Sequence, residues 1–308
     1  MSSESSYYVP ASSKLPIFMA ISLLLFVYGA GYTINDLGKE DTYSHWILIS
    51  SFLLMWGTMF FWFSEVIKEN DAGMYSNQLN TSFVHGMSWF IFSEVMFFFA
   101  FFLALGYVRI FAVPWLGGEG EKGIANILWP GFEASWPLME TPDNERFPGA
   151  HHNMSIPPIT QIHTWLPFWN TLCLVTSSGT IALAEAALKK GNRKSFKAWM
   201  VATISLGYIF VVLQSVEYYE AYAHMGLTLG AGIYGTTFFL MTGFHGFHVC
   251  LGAIILTIMT IRGFQGAFSE HDHFGLAAGS WYWHFVDVVW ICLLYTSDAA
   301  DEEDSVDL

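Results

Sequence analysis

Charge is scarce in this sequence. Asp, Glu, Lys and Arg together make up 12% of its 308 residues, about half the share found in soluble domains. That deficit excludes an ordinary water-soluble globule. Cysteine is nearly absent too: Cys173, Cys250 and Cys292 each lie inside an apolar run, with no CxxC pair. That placement argues against a disulfide framework and a cysteine-based zinc site. The N-terminus, MSSESSYYVPASSK, lacks the basic start of a cleaved signal peptide, so the first apolar segment is expected to be retained. No low-complexity tract or solenoid period is present, and the short echo of FSEV at 63–66 and 92–95 is too brief to mark a duplication.

Apolar residues are what the chain has in excess. They form 54% of it, aromatics 18%, with 28 Phe and 13 Trp, and the mean hydropathy is +0.42. One core cannot hide that much apolar surface in a protein of this size, so much of it must face lipid. Seven segments reach the roughly 20 residues needed for a helical span: 15–34, 46–67, 85–113, 165–188, 198–219, 233–261 and 274–295. The expected fold is all-α, an integral membrane protein of seven transmembrane helices. The third and sixth segments exceed a simple crossing and require tilt or extension into water.

Lysine and arginine set the expected orientation. Alternate connections place Lys14, Lys68, Lys189, Lys190, Arg193, Lys194, Lys197 and Arg262 on one side, and Lys39, Arg109, Lys122 and Arg146 on the other. The richer side is read as cytoplasmic, which puts the N-terminus inside and the C-terminus outside. The long connection 114–164, rich in Gly, Pro, Trp and acids, then forms an irregular external lobe. The net charge of −14 is weighted toward the end of the chain, where Asp298, Asp301, Glu302, Glu303, Asp304 and Asp307 cluster.

Several polar residues interrupt the apolar segments. Glu94 has apolar neighbours for two turns on either side and lies about 13 Å along the helix from His85, near mid-bilayer. An ionised carboxylate there costs several kcal/mol unless it is paired or hydrated. It either tunes proton traffic or, protonated, ties two helices together. In the last segment His284 and Asp287 share a helix face; they satisfy each other or reach a neighbouring helix, as a proton relay or as a structural bond. His245 and His248 make half a metal site at most, and Gly243 and Gly246 beside them suit close helix packing. Glu217 and Glu220 fall at the outer end of the fifth segment and are expected to be solvated or interfacial. Lys68, Glu69 and Arg262 sit at helix ends, where basic groups pair with lipid phosphate or simply snorkel.

Taken in order, FSEVMFFFAFF (92–102), NTLCLVTSSGT (170–180), EYYEA (217–221), GIYGTTFFLMTGFHGFHV (232–249) and AGSWYWHFVDVVW (278–290) resemble the third subunit of haem–copper cytochrome c oxidases. The likeness runs from Tyr8 to about Leu294, and WLGGEGEKGIANILWP (115–130) is similar to bacterial members with an enlarged loop. It implies two helices splayed from the other five around a cleft that holds phospholipids. The expected division is 1–70 for the tail and first two helices, 71–295 for a five-helix bundle, and 296–308 for an acidic tail. It implies no metal or redox cofactor in this chain, with haem a and copper in subunits I and II and cytochrome c as the substrate of the complex. The implied role is to sustain proton uptake and protect the active site, in a bacterial inner membrane. Glu94 matches the family's carbodiimide-reactive glutamate, and Lys68, Glu69 and Arg262 match lipid-headgroup contacts.

The chain departs from the pattern in places. Ala184-Glu185-Ala186 stands where many members carry two histidines, and Ser64 stands where mitochondrial members have arginine. After Leu294 the apolar run gives way to an acidic tail, which we expect not to be native sequence. The nearest alternative is a similar subunit of a quinol oxidase or nitric oxide reductase; those commonly hold only the last five helices, so segments 15–34 and 46–67 favour the cytochrome c enzyme. A proton-coupled transporter is the alternative of another class, opposed by the lack of an inverted repeat.

Overall fold

The computed structural model describes residues 8–9, 12–36, 39, 43–150, 157–270 and 272–298. Among these residues all regular structure is helical. The seven spanning helices are α1 (Leu15–Asn35), α2 (Ser44–Asp71), α3 (Asn77–Tyr107), α4 (Leu166–Lys189), α5 (Arg193–Ala223), α6 (Gly232–Phe264) and α7 (Phe274–Asp298). Each is long and apolar enough to cross a membrane.

Helix ends follow local chemistry. α3 begins eight residues before the expected start, because 77–84 (NQLNTSFV) mixes polar residues with Leu79, Phe83 and Val84 and so leaves no continuous apolar run. At its far end Pro114 has no amide to donate, and the helix widens into a π turn at Val108–Ala112 before a last α-turn at Val113–Leu116. α4 stops at Gly191, which adopts a left-handed φ of 71° and donates its amide to the Leu188 carbonyl at 2.9 Å. Asn192 then caps α5 by accepting the Ser195 amide at 3.1 Å. α7 continues to Asp298; the remainder of the acidic tail, 299–308, lies outside the described residues.

The chain divides into two compact units, Met1–His85 and Gly86–Leu308. In the first, α1 and α2 pair through small residues. A Cβ on Gly29 would stand 3.0 Å from the Leu48 backbone, so only glycine permits the approach. The buried Ser22, Ser51 and Thr58 turn their hydroxyls back to carbonyls of their own helices. This is how polar groups are accommodated where water is missing.

In the second unit α7 is the most enclosed helix. Trp283, fully buried, lies between Gly207 of α5 and Gly252 of α6, where added Cβ atoms would meet its ring at 2.7 and 2.9 Å. Its indole N–H donates to the Ser177 hydroxyl on α4 at 2.8 Å, and Trp290 donates to Thr171 at 2.9 Å. Two aromatic residues thus bind four helices with no unpaired indole nitrogen. The long connection packs on the ends of α5 and α6 through Trp136, whose ring meets Tyr234 edge-on at 5.5 Å.

Candidate functional site

Glu94 does not stand alone. Its Oε2 lies 2.9 Å from Nε2 of His248 on α6, and the side chains are 21% and 10% exposed. The other ring nitrogen, Nδ1, is 2.6 Å from the Phe244 carbonyl. A carbonyl only accepts, so Nδ1 must carry a proton and donate it. That fixes the chemistry at Nε2. Either Nε2 is also protonated and donates to an ionised Glu94, or Glu94 is protonated and donates to Nε2. The two arrangements differ by one proton moving along a 2.9 Å contact, and both satisfy the groups concerned.

Aromatic rings wall the pair. The Phe98, Phe97 and Tyr282 rings lie 5.1, 6.0 and 6.4 Å from the imidazole, and Phe98 is buried. The sequence FSEVMFFFAFF therefore supplies both the acid and part of its enclosure, one turn further along α3. A low-dielectric wall strengthens the carboxyl–imidazole interaction.

The two histidines of GFHGFH part company. His248 turns to α3, while His245 is fully buried and stacks on Trp290 at 5.3 Å. Among the described residues no three His, Cys, Asp or Glu side chains converge as a metal site. His284 and Asp287 both turn to α4: His284 Nδ1 is 2.6 Å from the Ser178 hydroxyl, and Asp287 is buried beside the same serine. They do not bond each other.

Glu217 corrects the sequence reading. It is 4% exposed rather than solvated, because α5 turns it inward to accept the Asn170 amide at 2.9 Å. Glu220 is exposed. Nothing in EYYEA distinguishes the two acids; only the packing of α4 against α5 does.

Lys68, Glu69 and Arg262 occupy helix ends. Lys68 is exposed. Glu69 instead accepts the Tyr75 hydroxyl at 3.0 Å and the Tyr8 hydroxyl at 3.2 Å, which ties the N-terminal segment to the end of α2. Burial, and then the adjacent carboxylate, push both tyrosine hydroxyls above their ordinary ionisation range. Arg262 lies over the Phe268 ring at 5.7 Å. Sequence reasoning missed the tyrosine contacts; the only signal was a tyrosine on either side of α2.

Comparison with known proteins bears on this arrangement. A family model described as Cytochrome c oxidase subunit III matches residues 5–127 and 147–297. The unmatched residues 128–146 belong to the long connection. Curated relatives described as Cytochrome c oxidase subunit 3 include those of Oryctolagus cuniculus, 32% identical, and of Equus caballus and Carassius auratus, each 33% identical. Each alignment spans 293 residues and covers 95% of both chains.

Proposed function

Because this chain belongs to the cytochrome c oxidase subunit III family, we propose that it sustains proton uptake in the oxidase through the Glu94–His248 pair. In this reading subunits I and II hold haem a and copper, reduce oxygen with electrons from cytochrome c, and pump protons. This chain contributes no redox centre. It keeps protons arriving and so shields the active site from inactivation during turnover. The complex lies in a bacterial inner membrane with the N-terminus of this chain cytoplasmic, as its lysines and arginines favour. Phospholipid headgroups bind at Lys68 and Arg262, with Glu69 holding the end of α2.

The observation that carries this reading is the 2.9 Å contact between Glu94 and His248, with Nδ1 committed to a carbonyl. An isolated carboxyl in hydrocarbon either is neutral or is paired; a carboxyl facing an imidazole with one free nitrogen has a partner for proton exchange. Glu94→Gln tests it. The oxidase is expected to assemble with normal haem content, while proton uptake slows several-fold and turnover lifetime shortens. Unchanged uptake and lifetime in the assembled complex would reduce Glu94 to a packing contact.

A further inference from the structure

The end of α5 remote from the basic α4–α5 turn borders an open pocket of about 490 Å³, lined by Tyr218, Tyr219, Tyr222, Leu229, Phe239 and Leu240. Its volume is that of a small-ligand site. We propose that it binds a phospholipid whose headgroup ends in an ammonium group, with that group held against the tyrosine rings.

Helix length places the pocket across the boundary between headgroups and hydrocarbon. α5 has 31 residues and α6 has 33, which is about 46 and 50 Å of helix. The hydrocarbon core is about 30 Å thick, so each helix centred on it projects about 8–10 Å at either end. Tyr219 and Tyr222 lie in the last turns of α5, and Leu229 in the connection that follows. These residues belong to the headgroup layer. Phe239 and Leu240 lie about 10 Å along α6 from Gly232, at the edge of the hydrocarbon. A ligand that fills the pocket is therefore polar at one end and apolar at the other. An aromatic belt accounts for tyrosines at this depth, but not for a pocket enclosed by them.

The rings are held at steep angles to one another. Phe239 meets Tyr218 at 5.2 Å and Tyr222 at 6.4 Å, edge-on in both pairs. The Tyr218 hydroxyl lies 2.6 Å from the Thr242 hydroxyl, which ties its ring to α6. Tyr219 and Tyr222 are exposed. Rings tilted in this way turn faces in several directions around one space, and the negative face of each attracts a cation.

Charge selects the headgroup. α5 after Lys197 and α6 before Arg262 contain no Lys or Arg, so an anionic headgroup finds no cationic side chain on either helix at this end. Arg109 is drawn to the Trp136 ring at 5.8 Å. Glu220 is exposed beside Tyr219 and favours a positive group. The Tyr219 and Tyr222 hydroxyls can donate to phosphate oxygens. Arg262, by contrast, lies at the opposite end of α6, where a basic side chain meets lipid phosphate directly.

The intact oxidase complex, in vesicles of phosphatidylcholine and phosphatidylglycerol in equal parts, provides the test. Each lipid in turn carries a diazirine on an acyl chain, and labelled peptides of this chain are mapped after illumination. Phosphatidylcholine is expected to label 218–222 and 239–240 several-fold more than phosphatidylglycerol. The exposed mid-helix residues Ile209 and Val212 are the control and are expected to show no preference. Tyr219→Leu with Tyr222→Leu is expected to abolish the preference. Tyr219→Phe with Tyr222→Phe, which keeps both rings, is expected to retain most of it. Equal labelling by the two lipids, a preference for phosphatidylglycerol, no labelling of these segments, or loss of the preference in the phenylalanine variant overturns the proposal. The comparison in the unmodified chain stands even if the leucine variant fails to assemble.

Discussion

At the scale of single residues, Glu94 is legible from sequence because one acid among a dozen apolar neighbours has no innocuous place in hydrocarbon. Its partner is not. His248 is 154 positions away, and GFHGFH gives equal standing to two histidines that the fold sends to different surroundings. Glu69 shows the same limit: a helix-end acid beside lysine reads as a headgroup contact, yet two tyrosines occupy it. Those tyrosines give a pH-dependent outcome. Each hydroxyl ionises at higher pH when folded, so the tie is fully present below the ordinary tyrosine range and weakens as pH rises through the raised values. Limited proteolysis of the N-terminal segment is expected to stay slow to about pH 10, the unperturbed tyrosine value, and to accelerate above it. Glu69→Ala is expected to give the fast rate already at neutral pH.

At the scale of elements, hydropathy locates all seven helices because the bilayer imposes one length on each. It misplaces the start of α3, where turns of mixed polarity continue the helix beyond the apolar run. What hydropathy cannot supply is rotation about each axis, since lipid-facing and protein-facing surfaces are equally apolar. Small residues carry that information. Gly29 marks where α1 meets α2, and Gly207 and Gly252 mark where Trp283 enters. Gly207→Leu is expected to destabilise the second unit by about 1–3 kcal/mol through overpacking against that indole. Thermal release of this chain from the purified complex measures it. A substitution on the exposed face of α5, such as Val212→Leu, serves as the control expected to change nothing.

At the scale of the whole molecule, the family was readable from five motifs in order, whereas the buried polar interior was not. Asp287, His245 and Glu217 are enclosed by helices far apart in sequence. Membership in the oxidase subunit III family predicts that gentle detergent extraction through a tag on this chain brings haem with it. Recovery of this chain free of haem, in a folded form that moves protons across vesicles, would favour the transporter alternative instead. The central claim is that Glu94 and His248 act as one proton-exchanging unit. A double-mutant cycle in the assembled oxidase tests it most directly. Proton uptake is measured for Glu94→Gln, His248→Phe and the pair together. A shared proton predicts that the double variant is no slower than the slower single one. Multiplication of two independent losses, or no loss from His248→Phe at all, would contradict the account.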